Sequence, residues 1–581
     1  MYRQITLWVS FLMFLFAPCS AMKNSSYQNP VLPGWHSDPS CTRVDDVFFC
    51  VTSTFDVFPG LPIYASKDLL DWKLVSHTWN RESQLPGYSA GTTGQQLGHY
   101  AATIRYHDGI FYVICVYLGA PAETGVLYSS KNPYDESAWS DAVTFNASEI
   151  DPDLFWDDDG KVYTVMAGIT LQEIDLKTGD LSDSVSIWNG TGGVYPEGPH
   201  LYKKDGFYYL LIAEGGTELN HSISIARSTK IQGPYESYNN NPILTNRGTD
   251  EYFQTVGHGD LFQDSRGRWW GICLATRGGP SWEVYPMGRE TVLFPVTWKK
   301  GQWPTLEPVR GQMTGWPLPS RTRNIPGQGP FNSDPDVYDF QFGSQIPRNL
   351  VHFRVPGKDS FSVTRKGLRI LPSRSNLTGI PDNSLLSGQN GLGFIGRRQT
   401  DTFFTYSVDL DFDPDSVGQE VGVSVFLTQM NHIDLGIVLL DSESSPNSHR
   451  SPRLYFRLRT EASTMDNIPI IPGNPQPPKT VPVPHSWIGE KIRLQVKTLN
   501  ETQYEFSAMP FSNPHAAMKI GIASAQLVSG GSGTFVGSLV GTYATCNGAG
   551  SASTCPDGGS LYVNRWRYTG DGQITSANEN L

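Results

Sequence analysis

Charge is the first thing this sequence has little of. Only 17% of its 581 residues are Asp, Glu, Lys or Arg, and 44 Lys+Arg stand against 56 Asp+Glu, a net charge of −12. No broad cationic surface can form from that balance, so nucleic acid is excluded as a partner. Beyond the N-terminus no apolar run approaches the roughly 20 residues that span a bilayer, so no membrane-embedded segment is expected. Cysteine is sparse, seven in all, and neither a CxxC spacing nor a Cys/His cluster occurs, which argues against structural zinc. Helical periodicity is scarce as well. Disorder is excluded by a composition that is 39% hydrophobic and 12% aromatic. What the chain does have is turn residues and aromatics, with Gly 58, Pro 41, Tyr 26 and Trp 15, the composition of a turn-rich all-β protein. The length predicts two to four domains.

Arg3, the apolar run from Ile5 to Phe16 and the small residues Cys19-Ser20-Ala21 read as a secretory signal peptide over residues 1–21. The run is too short for a membrane anchor. A secreted, extracellular protein follows, and the remaining cysteines agree. Cys41 with Cys50, and Cys546 with Cys555, can each close a small disulfide loop, whereas Cys115 and Cys273 lie in apolar runs as buried thiols. Glycosylation sequons stand at Asn24, Asn146, Asn189, Asn220, Asn376 and Asn500.

An internal repeat carries most of the information. Five copies of a short strand, a tight turn and an aromatic-rich second strand begin at Asp38, Ala101, Asp151, Glu197 and His258. Turns such as Asp108-Gly109 and Asp205-Gly206 are hairpin signals. Strand-only units at this spacing predict a five-bladed β-propeller over residues 27–320. The innermost strand of each blade runs along the central axis, so the five heads converge there. Asp and Gly also favour ordinary turns, but three acids and a histidine at equivalent places in five repeats are poorly explained that way.

Two carboxyls facing each other across a funnel suit the hydrolysis of a glycosidic bond. One, protonated, donates to the leaving oxygen; the other, ionised, activates water on the opposite face of the sugar. Heads on opposite sides of a channel are expected roughly 6.5–9.5 Å apart, the gap that gives inversion. A third acid raises the pKa of the proton donor by like charge.

Three segments then resemble glycoside hydrolase family 43: Asn29-Pro30-Val31-Leu32-Pro33-Gly34-Trp35-His36-Ser37-Asp38-Pro39-Ser40, Ile150-Asp151-Pro152-Asp153-Leu154-Phe155 and Pro196-Glu197-Gly198-Pro199-His200-Leu201. The resemblance implies that Asp38 is the base, Asp151 the modulator and Glu197 the acid. Met287-Gly288-Arg289-Glu290-Thr291 is similar to the segment whose Arg contacts the sugar, which makes Arg289 substrate-binding. It also implies a secreted, inverting exo-glycosidase that removes α-L-arabinofuranosyl or β-D-xylosyl units from arabinoxylan-type hemicellulose. No cofactor is required, although in some members a calcium ion lies near the histidine that His258 matches. His258 is thus either functional or simply packed. Tyr100-Ala101-Ala102 replaces the Trp-Ala-Pro of many members, and Val57 stands where related xylosidases carry Trp. Phe55 and Phe58 are either rim aromatics beside the sugar or core residues.

After Trp303-Pro304 a Pro- and Gly-rich stretch reads as a connector. Alternating segments then predict a β-sandwich over residues 335–570, among them Thr405 to Phe412, Val421 to Leu427, Ile433 to Leu440 and Met518 to Ser524. Leu392-Gly393-Phe394-Ile395-Gly396-Arg397-Arg398-Gln399-Thr400 resembles the concanavalin A-like C-terminal domain of β-xylosidases. Such a domain is expected to pack on the propeller and lend a loop to the rim of the site, and the polar tail from Asp571 to Leu581 is expected to fray. The competing reading is a carbohydrate-binding propeller without catalysis, which has no need of all three acids.

Overall fold

The five predicted hairpins are the inner halves of five antiparallel sheets arranged as propeller blades. In this computed structural model, which describes residues 24–87, 92, 95–119, 122–379, 391–441, 452–462, 476–550 and 554–577, the expected signal peptide lies outside the described residues. The inner strands are Ser40–Val44, Thr103–His107, Asp153–Trp156, Glu197–Lys204 and Phe253–Gln263. Asp108-Gly109 and Asp205-Gly206 take positive φ at both positions, the turn geometry whose twist matches that of the flanking strands. Cys41 and Cys50 face each other across the first hairpin and are disulfide-bonded, as are Cys546 and Cys555. Cys115 and Cys273 are buried free thiols.

The ring is closed by the N-terminal segment. Ser25–Gln28 pairs with Gln312–Gly315, and the Asn29 side chain both donates to the Leu293 carbonyl at 3.1 Å and accepts from the Leu293 N–H at 2.9 Å on the fifth blade. The Pro/Gly-rich connector is not a loose linker. It runs back over the first blade, where Leu74 N–H donates to the Pro330 carbonyl at 3.0 Å and Ile325 and Phe331 are buried against Val75.

The second half is a sandwich of two eight-stranded antiparallel sheets. One of the eight strands comes from the propeller: Val57–Phe58, in a first-blade loop, pairs with Val351–Phe353 at the edge of a sandwich sheet. Trp35, Phe55 and Val57 accordingly belong to the same buried cluster as Phe353, Phe394 and Phe426 of the sandwich. Val57, which stands where related xylosidases carry Trp, is therefore an interdomain core residue. The tail does not fray at its start. Strand Leu561–Gly572 continues past Asp571, and Arg277 of the fifth blade donates to Gln573 Oε1 at 2.7 Å and to the Ile574 carbonyl at 3.1 Å; a buried guanidinium fixes the segment that polarity alone marked as mobile. Among the described residues no helix is long and apolar enough to cross a membrane.

Because one core spans both domains, calorimetric unfolding should show a single cooperative transition. Two well-separated endotherms would contradict a shared core.

Candidate active site

Strand geometry brings the heads together. Asp38, Ala101 and Asp151 lie two residues before their inner strands, Glu197 opens its own and His258 lies within the fifth, and all five line one pocket. Three of the five heads also carry left-handed backbone, with φ of 51° at Asp38, 58° at Asp151 and 49° at His258. Such conformations cost on the order of 1–3 kcal/mol each and persist where the surroundings over-determine them. In the fourth blade a bulge between Glu197 and His200, with Gly198 at φ 53°, turns Glu197 into the same space.

The result is a cavity of about 70 Å³ lined by Asp38, Phe55, Tyr100, Ala101, Ile150, Asp151, Glu197, Thr217, His258, Arg289 and Phe535. Every residue expected to act on or bind the substrate is thus in one pocket. Phe58 is not; it packs edge-on against Trp79 with ring centroids 4.7 Å apart, in the core. A larger cavity of about 240 Å³ lies between the domains beside Ser281 and Tyr504. Two acids line it, Glu283 and Glu501, together with Tyr504, whose hydroxyl donates to Gln399 at 2.9 Å, and Thr498, whose hydroxyl donates to the Phe404 carbonyl at 3.2 Å.

The three carboxyls share one pocket but not one protonation behaviour. Arg289 Nη1 is 3.0 Å from Asp38 Oδ1, and the Ser53 hydroxyl donates to Asp38 Oδ2 at 2.5 Å. Burial pushes the Asp38 carboxyl up, but Arg289, His258 and the Ser53 hydrogen bond outweigh it and hold the group below the ordinary aspartate value. Asp151 faces His258 rather than a guanidinium, and that ring lowers the carboxyl's pKa. Asp151 also accepts the Gly198 N–H at 3.0 Å, yet burial, reinforced by the charge of Asp38, raises it above the ordinary value. Glu197 is raised well above the usual carboxylate range by burial and then by the charges of Asp151 and Asp38. His258 Nδ1 stands 3.6 Å from Asp38 Oδ1 and 3.9 Å from Asp151 Oδ2, so the ring faces both carboxylates. The pocket therefore pairs a carboxyl held toward its ionised form, Asp38, with one pushed toward its protonated form, Glu197: a base and an acid.

Sequence reasoning missed two participants. Ser53 lies on the segment after the first hairpin, with no motif to mark it. Phe535 comes from the sandwich, on the loop Gly530-Gly531-Ser532-Gly533-Thr534-Phe535, and its only sequence signal is a single aromatic after a glycine-rich stretch. Its ring stacks on Phe55 at 6.0 Å, and its carbonyl accepts from Arg289 Nη2 at 3.0 Å. Gln96 accepts the Phe535 N–H at 2.5 Å, and Glu218 accepts both the Ser532 hydroxyl and the Gly533 N–H at 3.1 Å. The loop also crosses close over Gly288, where an added Cβ would sit 2.6 Å from the Val536 carbonyl. As for calcium beside His258, no group of three or more His, Cys, Asp or Glu side chains among the described residues could hold a metal ion. The Nδ1 of His258 is turned to Asp38 and Asp151.

Comparison with known proteins gives the following. The model described as glycosyl hydrolases family 43 matches residues 27–304, and that of the β-xylosidase C-terminal concanavalin A-like domain matches residues 338–555. The non-reducing end α-L-arabinofuranosidase of Bacteroides ovatus is 34% identical over 548 residues, covering 92% of this chain and 94% of that protein. A xylosidase/arabinosidase of Butyrivibrio fibrisolvens is 32% identical, covering 91% and 97%. Among solved structures, the Bacteroides ovatus xyloglucan PUL GH43B protein superimposes with a TM-score of 0.79 at 31% identity, covering 94% of this chain and 99% of that one.

Two isosteric changes in the pocket should move stability in opposite directions. Asp38→Asn leaves the Arg289 guanidinium buried without its carboxylate and should destabilise the fold by about 3 kcal/mol. Glu197→Gln removes an acid whose ionised form is disfavoured by burial and by two neighbouring charges. It should leave stability unchanged below the ordinary glutamate pKa of the unfolded chain and increase it progressively from there up to the raised pKa, because over that range the native group must hold a proton that the unfolded chain releases. Thermal melts across pH read both effects, and equal shifts of the two variants would refute the assignment of opposite electrostatic environments.

Proposed function

Since the chain belongs to glycosyl hydrolases family 43, we propose that it is a secreted, inverting exo-glycosidase that releases non-reducing-end α-L-arabinofuranosyl units, and β-D-xylosyl units as its second substrate, from arabinoxylan-type hemicellulose. The observation that carries this reading is the pairing, in one buried pocket, of a carboxyl held ionised by Arg289 with a carboxyl kept protonated by burial. Asp38 takes a proton from water as the water attacks the anomeric carbon. Glu197 gives its proton to the leaving oxygen. Asp151, with its charge near Glu197, keeps the donor's pKa high, and the single displacement inverts the anomeric configuration.

Several features support the substrate side. The pocket walls combine the rings of Phe55, Tyr100 and Phe535 with the hydrogen-bonding groups of Thr217, His258 and Arg289, which suits a small neutral sugar whose apolar face packs on an aromatic and whose hydroxyls need partners. The names of the relatives, an arabinofuranosidase and a xylosidase/arabinosidase, both concern five-carbon sugars. Secretion is supported by two disulfides, which form and persist in oxidising compartments, and by the leader-like first 21 residues. A propeller that only binds carbohydrate gains nothing from raised and depressed carboxyls facing one pocket, so that alternative is set aside.

The pH dependence tests the assignment with a definite sign. kcat/KM should rise with pH through the depressed Asp38 pKa and fall through the raised Glu197 pKa. Glu197→Gln should lose about 10²–10⁴-fold on substrates with poor leaving groups and much less on aryl glycosides with good ones. Turnover of 4-nitrophenyl α-L-arabinofuranoside and β-D-xyloside, with the anomer of the first-formed sugar followed by NMR, reads activity, preference and stereochemistry together. Undiminished turnover by the Glu197 variant on poor leaving groups, or a retained anomer, would overturn the mechanism.

A further inference from the structure

Below the pocket the axis holds a second tier that the chemistry above does not use. Each blade contributes one residue to it from its innermost strand: Ser40, Arg105, Asp153, His200 and Asp260. Ser40, Asp153 and Asp260 each follow a pocket residue, Asp38, Asp151 and His258, by two positions in the chain. His200 completes the set after the bulge that displaces Glu197. Arg105 is the centre. Its Nε is 2.9 Å from Asp153 Oδ1 and its Nη1 2.7 Å from Asp260 Oδ2, and Nη2 donates to His200 Nδ1 at 3.0 Å and Nη1 to Ser40 Oγ at 3.2 Å. One planar guanidinium thus touches all four other blades at the axis. The Tyr202 hydroxyl donates to Asp260 at 2.7 Å from the far side.

We propose that Arg105 is a positioning residue for the hydrolysis, setting through this tier the mutual spacing of Asp38, Asp151 and Glu197. The proposal rests on the glycosidase reading above. Asp151 and Asp153, or His258 and Asp260, are joined through a single intervening residue, so a sideways movement of the lower residue carries the upper one with it. Displacements of about 1 Å at reacting groups cost on the order of 10²-fold in rate. Arg105 also neutralises two carboxylates below the pocket. Without it their charge would raise the pKa of Asp38, because like charge favours the protonated acid.

The test compares wild-type, Arg105→Met, Arg105→Lys and Tyr202→Phe on the same aryl glycosides. Arg105→Met should lower kcat about 100-fold with KM changed less than about 3-fold, and should shift the acid limb of the pH profile to higher pH. Arg105→Lys keeps the charge but loses the fork that bridges two carboxylates; it should restore the acid limb and only part of kcat. Tyr202→Phe, which leaves the guanidinium in place, should lower kcat a few-fold and guards against an Arg105→Met protein that does not fold. Folded variants with wild-type kcat and an unmoved acid limb, or losses that track only the folded fraction, would overturn the proposal. An inactive wild-type would instead overturn the glycosidase reading itself.

Discussion

The contact between Arg289 and Asp38 decides what the pocket can do. Three carboxyls share one low-dielectric space, and burial pushes all of them toward the neutral form. Left alone they would be three weak acids with no base among them. A single guanidinium on one of them breaks the symmetry, leaving Asp38 ionised while Asp151 and Glu197 move up. The same guanidinium donates to the Phe535 carbonyl of the sandwich loop. The group that sets the base therefore also anchors the wall of the pocket, and charge and shape are fixed by one side chain.

The propeller supplies the convergence at a local cost. Left-handed backbone at Asp38, Asp151 and His258 is unfavourable for residues with a Cβ, and the energy is offset by the four-stranded sheets hung from each head. Strain of this kind concentrates where side chains must be aimed rather than merely packed. Irregular pairing aims two of the heads: a bulge follows Glu197, and register shifts in the fifth blade flank His258. The acid has to approach the axis from its own direction, and one extra residue turns it there without altering the register of the rest of the blade.

Much of this was legible because the repeat places chemically equivalent residues at equivalent positions. Asp38, Asp151, Glu197 and His258 stand at the heads of similar hairpins, and a hairpin is a local structure with local turn signals. The features that escaped are those made by distant segments. Phe535 reaches Phe55 across 480 positions of sequence, and nothing around it distinguishes a wall residue from a loop aromatic. Val57–Phe58 is too short to announce a strand, and it exists only because the sandwich edge offers Val351–Phe353 as a partner. The connector and the start of the C-terminal tail are polar and rich in turn residues. Each is held by specific contacts, Leu74 with Pro330 and Arg277 with Ile574, which composition does not reveal.

An axial channel through a five-bladed ring is by itself a passage. Here its lower part is filled by Arg105 and its partners, of which Asp153 and Asp260 have fully buried side chains, and the rim is narrowed by a loop from another domain carrying Phe535. A passage has become a dead-end pocket. The sandwich then needs no binding function of its own to account for its place. Its strand pairing with Val57–Phe58 and the hold of Gln96, Glu218 and Arg289 on its loop keep one wall of the pocket in register with acids that belong to the other domain.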